Sequence, residues 1–174
     1  GLTFSVANEL VNLMFGVWLE GNFGVQISAL AAASVVIGVS ELAGEGLVGG
    51  TTDRIGKRRS VAIGLIFNCI VAAFIPFLGS SLVGALVGLF FFYLTFEYTI
   101  VSAIPLMTEI MPAVRATMMA AFISSTSIGR AVGDWIAPSL YQFGNDFHGL
   151  SGIMAIVAGV LFFNALAGAC LMVL

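Results

Sequence analysis

The chain has 174 residues, of which 60% are hydrophobic and only 9% charged, and its mean hydropathy is +1.11. A water-soluble domain carries roughly 25% charged residues, so a soluble globular fold is excluded and lipid must cover most of the surface. Six Lys and Arg against nine Asp and Glu leave a net charge of −3, which removes any basic face for nucleic acid.

A membrane helix needs about 20 mainly apolar residues. Breaking the sequence at polar, Gly and Pro clusters predicts six such spans, at 2–19, 26–49, 61–78, 82–106, 114–140 and 151–173. They are twice the length of a membrane β-strand and show no period-two alternation, which argues against a barrel. The expected fold is an all-α integral membrane domain, 1–174, of six transmembrane helices. It enters a membrane-grade segment within a few residues of Gly1 and stops at Leu174 in an apolar run, so it reads as a piece of something longer.

Charges inside a bilayer cost several kcal/mol unless they face a cavity or a partner, so each one is informative. Span 1 carries Glu9, with Ser5, Asn8 and Asn12 on the same helical face; span 2 carries Glu41 and Glu45, one turn apart. Span 4 carries Glu97 within Thr95-Phe96-Glu97-Tyr98-Thr99, and span 5 carries Arg130 and Asp134. Spans 3 and 6 have no charge, only Asn68 and Asn164, and suit a lipid-facing role. The six helices thus divide into two sets of three, the pattern of a transporter built from internal repeats. At 1.5 Å per residue, Glu41 and Glu97 lie about 18 Å, and Arg130 about 22 Å, from the charged ends of their spans. All three fall near mid-membrane, and Arg130 pairs either with Glu41 across helices or with Asp134 on its own helix.

The second break, 50–60, holds Arg54, Lys57, Arg58 and Arg59; Arg115 adjoins the fourth, 107–113. The positive-inside rule makes these two loops cytoplasmic. Cys69 and Cys170 stand alone in apolar runs, and His148, the single histidine, falls in an external loop. Neither a metal-ligand spacing nor a nucleophile with its base is present, so no metal, no cofactor and no enzymatic activity are expected.

The break Gly49-Gly50-Thr51-Thr52-Asp53-Arg54-Ile55-Gly56-Lys57-Arg58-Arg59 resembles G-x-x-x-D-R-x-G-[RK]-[RK], the signature loop of the major facilitator superfamily. Its glycines permit a tight reversal, and Asp53 can cap a helix or pair with a cation. Glu109-Ile110-Met111-Pro112-Ala113-Val114-Arg115 similarly resembles the E-x-x-P-x-x-R loop of that family. The resemblance covers essentially the whole chain, as one six-helix half of a twelve-helix transporter. Span 4 lacks the R-x-x-x-G frequent in N-terminal halves, and span 5 has Gly129-x-x-x-Gly133 followed by Asp134 rather than Pro; both departures favour the C-terminal half.

The resemblance implies a secondary transporter in the inner (plasma) membrane of a bacterial cell. It would move a small organic solute by alternating access, with proton-coupled efflux of a drug or sugar type as the leading reading. Gly49, Asp53, Arg54, Gly56, Lys57, Arg58, Glu109 and Arg115 would form the cytoplasmic gate. Asn8, Asn12, Phe96 and Tyr98 would line the substrate cavity, and Glu97, Glu41, Glu45 and Glu9 are candidates for proton coupling. Expected partners are the solute, protons, the lipid bilayer and the missing N-terminal half or a second copy. A uniporter, a cation-coupled importer and a non-transporting receptor or assembly domain share the fold and stay open.

Overall fold

The computed structural model describes residues 1–24 and 27–173, and the side chains of all of these except 27–29. The described residues are helical with no strand, forming α1 (Leu2–Phe23), α2 (Ile27–Ile55), α3 (Lys57–Leu78), α4 (Leu82–Ile110), α5 (Arg115–Asp146) and α6 (Gly152–Val173). The expected start of span 2 at Gln26 lies outside the described residues. Pro76, Pro105 and Pro138 are all accommodated inside helices, as membrane packing permits.

Five of the helices are long and apolar enough to cross a bilayer; α5 is not among them. Its polar content explains the difference: Ser124-Ser125-Thr126-Ser127 and then Arg130 and Asp134 interrupt the apolar run. It is the glycines Gly129 and Gly133 that meet α1; Ser124, Ser127, Arg130 and Asp134 are exposed on the face that α1 and α6 leave uncovered. Elsewhere the outward surface is strongly apolar. Leu42 is 70% exposed, Phe77 73% and Trp135 81%, as a lipid-covered or partner-covered surface requires.

Several helices run beyond the spans read from composition. α2 continues through residues 50–55, α4 through 107–110 and α5 through 141–146. Apolar content tracks the hydrocarbon layer, whereas intrahelical hydrogen bonds persist into the headgroups and water. The expected loop at 50–60 is therefore corrected to a single residue, Gly56, with φ 94°. That left-handed region favours glycine. Gly49 and Gly50 make no turn, and Asp53 caps nothing, because α3 starts on Gly56 without a side-chain cap.

The core sits between α1 and α4. Leu10, Val11 and Trp18 of α1 pack with Leu89, Phe92 and Tyr93 of α4, closed off by Ile75 of α3 and Ile156 and Val160 of α6. α1 has α5 and α6 as its main neighbours, just as α4 has α2 and α3, while α3 and α6 touch each other. Exchanging helices 1 with 4, 2 with 5 and 3 with 6 leaves this scheme unchanged.

The α3–α6 contact carries a polar pair that hydropathy assigned to lipid. Asn164 Nδ2 donates to Asn68 Oδ1 at 2.8 Å, and Asn68 Nδ2 donates to the Phe92 carbonyl and to Thr95 Oγ1, both at 3.0 Å. Both asparagines are buried. Asn164→Leu strands the Asn68 oxygen among apolar side chains. It should lower stability by about 1–2 kcal/mol, read as a lower thermal midpoint of the purified protein, with Asn164→Gln milder.

Candidate functional site

The charged residues of the membrane interior lie on α1, α2, α4 and α5, and two close helix contacts position them. On one side, Gly133 of α5 lies so near α1 that an added Cβ would stand 2.6 Å from Glu9 Cβ and 3.1 Å from the Val6 carbonyl. One turn below, Gly129 meets the backbone of Leu2 and Ser5 Cβ. This small-xxx-small crossing lets two backbones approach and brings Arg130 beside α1.

Arg130 accordingly donates from Nε to Glu9 Oε2 at 3.0 Å. The expectation that Arg130 pairs with Glu41 or with Asp134 is corrected. An Arg placed N-terminal to an acid at i,i+4 is the weaker order for an intrahelical pair, and the Gly133 contact offers the nearer Glu9. Asp134 is exposed and forms no ion pair among the described residues.

Glu9 is almost wholly buried and is satisfied twice, since Asn12 Nδ2 donates to its Oε1 at 2.6 Å. Asn12 Oδ1 in turn accepts from the Tyr93 hydroxyl at 3.0 Å. The result is a chain of hydrogen bonds from α5 through α1 to α4, the two to Glu9 being charge-assisted. The Arg130 side chain remains 63% exposed, so one end of the network opens onto the uncovered face. Asn8, on the same stripe, is buried with its Oδ1 unpartnered. Tyr93 escaped the sequence reading, though it sits four residues before Glu97 and so shares its helical face.

On the other side, α2 approaches α4 through Gly44, where an added Cβ would lie 2.9 Å from Glu97 Cβ and 2.8 Å from the Leu94 carbonyl. Glu41 and Glu45 flank Gly44 and lie within electrostatic range of Glu97. None of the three carboxylates has an ion-pair partner among the described residues. Tyr93 stands between the two sides, in electrostatic range of Glu9, Arg130 and Glu41.

The expected cavity lining is partly corrected. Tyr98 is buried against α2, its hydroxyl 3.2 Å from Thr51 Oγ1, and Phe96 stacks on Phe4 at 4.8 Å. Both are consumed by helix packing, because each lies on a flank of α4 that meets a neighbour. Asn8 and Asn12 stay on the α1 face that meets α4.

At the charged end, Lys57 and Glu109 form an ion pair that ties the start of α3 to the end of α4. Arg58 Nη2 donates to the Met172 carbonyl of α6 at 3.1 Å. Asp53, Arg54 and Arg115 are exposed and make no ion pair among the described residues. The gate expected from six charged residues is therefore one pair, Lys57–Glu109, with Arg58 turned to α6 instead of Glu109.

Comparison with known proteins gives one relevant similarity. The chain is 27% identical over 159 residues to an uncharacterized MFS-type transporter, YceJ, of Bacillus subtilis (strain 168), a match covering 88% of this chain and 39% of that protein. The chain thus spans about two fifths of the relative it matches. No family model matches the chain, and no solved structure matches it. The apolar helices, with this distant similarity, support a multi-pass integral membrane protein.

Proposed function

We propose that the chain is the C-terminal six-helix half of a major facilitator superfamily secondary transporter, and that it couples movement of a small organic solute to protons. The observation that carries this reading is a repeated constellation. Glu9 of α1 backs onto Gly133 of α5, with Arg130 three residues before that glycine and Asp134 one after; Glu97 of α4 backs onto Gly44 of α2, with Glu41 three before and Glu45 one after. Together with the exchange pattern of helix contacts and the Asn68–Asn164 pair, it supports two three-helix repeats.

The two copies differ in charge, and the difference suggests a division of labour. In the α1–α5 copy Arg130 neutralises Glu9. In the α2–α4 copy three carboxylates share one region with no cation among the described residues. Ionised together they repel, and a proton or a cationic solute relieves the repulsion. Glu97, against the closest helix approach, is the principal proton carrier in this reading, with Glu41 as its partner. Of the asparagines that could bind sugar hydroxyls, Asn12 is engaged between Glu9 and Tyr93, so an organic cation is the favoured solute. α1 and α4 then line the path, α2 and α5 face the missing half, and α3 and α6 face lipid.

The full-length protein, reconstituted in vesicles, should drive uptake of a fluorescent organic cation when a pH gradient is imposed, and a protonophore should stop it. Flux indifferent to the protonophore overturns the coupling, and no flux of cations, neutral drugs or sugars overturns transport itself.

A further inference from the structure

Between α3 and α6 an apolar groove of about 710 Å³ opens on the outer face. Its walls are made by small side chains, Ala62 of α3 and Ala165 and Gly168 of α6, and its floor lies near Cys69 and Asn164. Arg58 and Arg59 stand at its mouth. Counting along α3 from Arg58 to Ile70 at 1.5 Å per residue gives about 18 Å, close to the depth of one leaflet of a ~30 Å hydrocarbon core.

The two ends of the groove ask for different chemistry. Apart from Asn164 and Cys69 at its floor, the inner part offers apolar contact, and it merges with side chains that already face outward, Ile66 at 58% and Met172 at 76% exposure. The mouth offers two guanidinium groups with no acidic partner among the described residues. Arg58 spends one N–H on the Met172 carbonyl, which holds its planar head across the top of the groove. Its other donors and all of those of Arg59 have no partner among the described residues and suit a bidentate anion. An apolar slot one leaflet deep, capped by two arginines at headgroup level, fits one molecule in a bilayer.

We propose that the α3–α6 groove is a binding site for an anionic diacyl phospholipid, with one acyl chain between the helices and the phosphate on Arg58 and Arg59. The proposal rests on α3 and α6 lying in the membrane and not on transport, so a failure of either reading leaves the other standing. The lipid would cover the α3–α6 contact that holds Asn68 and Asn164, and it would brace the two helices beside the Arg58–Met172 hydrogen bond that joins them at the mouth.

The test is native mass spectrometry of the full-length protein in detergent with added phosphatidylglycerol or phosphatidylethanolamine of matched chains. Wild type should retain phosphatidylglycerol preferentially, and Arg59→Gln should weaken that retention by roughly fivefold. Gly168→Leu is the second variant. Nothing lies within 4 Å of a Cβ there, so the helix tolerates it, while the side chain fills the groove and should reduce retention of the same lipid. An unchanged thermal midpoint without added lipid confirms that both variants fold. Equal retention of the two lipids, or no effect of Arg59→Gln, overturns the site. Loss with Arg59→Gln but not with Gly168→Leu also overturns it, by reducing the interaction to a headgroup contact at the surface. Oxidative cross-linking of Cys69 to Cys69 in membranes would assign the groove to a second copy instead.

Discussion

Replacing Glu97 with Gln should abolish pH-gradient-driven flux in vesicles of the full-length protein, down to the level of protein-free vesicles, while solute exchange at equal pH persists. Glutamine keeps the size of the side chain and its place beside Gly44, where α2 and α4 approach most closely, but it stays neutral at every pH. A carrier fixed in its neutral form can still shuttle solute between equal pools. It cannot release a proton on one side and take one up on the other, so the gradient no longer drives net movement. Glu9→Gln is the informative contrast. Glu9 is already bound by Arg130 and Asn12, so its neutralisation removes a structural anion and should lower stability more than coupling. Undiminished gradient-driven flux in Glu97→Gln would remove Glu97 from the proton path.

The largest structural effect is expected from Gly133→Leu. The first carbon added at this position would meet Glu9 Cβ at 2.6 Å and the Val6 carbonyl at 3.1 Å. Neither belongs to a flexible side-chain end, so α1 and α5 must separate along their main contact. Overpacking costs about 1–3 kcal/mol, and losing the charged hydrogen bond from Arg130 to Glu9 adds roughly 1.5–3 kcal/mol. The purified variant should melt well below wild type or fail to accumulate in membranes. Gly38→Leu provides the control, since nothing lies within 4 Å of a Cβ at Gly38. Should Gly133→Leu melt with wild type, the close α1–α5 crossing is not how these helices pack.

The helices were legible in the sequence because lipid imposes a simple rule: about 20 apolar residues, with polar groups at the ends. Their ends were less legible. That rule reports the hydrocarbon layer and not the helix, so residues 50–55 and 141–146 read as loop and are helical. Pairing was harder still. Glu9 and Arg130 are 121 residues apart, and only the Gly133 contact selects Glu9 over Glu41, which matches Arg130 in depth as well. Asn68 and Asn164 looked like tolerated exceptions on lipid-facing helices, since a hydropathy profile records that they are polar but not that they face each other. The Gly129-x-x-x-Gly133 spacing was visible throughout; what it grips became clear only with α1 beside it.

The single residue between α2 and α3 has a consequence for how the protein is made. α2 must enter the bilayer carrying Glu41 and Glu45, and an acidic residue at the centre of a lone helix opposes insertion by translocon measures. α3 has no charge between Ser60 and Leu78 and enters readily by the same measures. With only Gly56 joining them, the two helices have no slack to be handled one after the other. They are expected to leave the translocon as one hairpin, the favourable partition of α3 carrying the acidic helix in with it. Lengthening that joint with a flexible linker should uncouple the two events and lower the inserted fraction of α2, read by glycosylation mapping of its far end, before any question of transport arises.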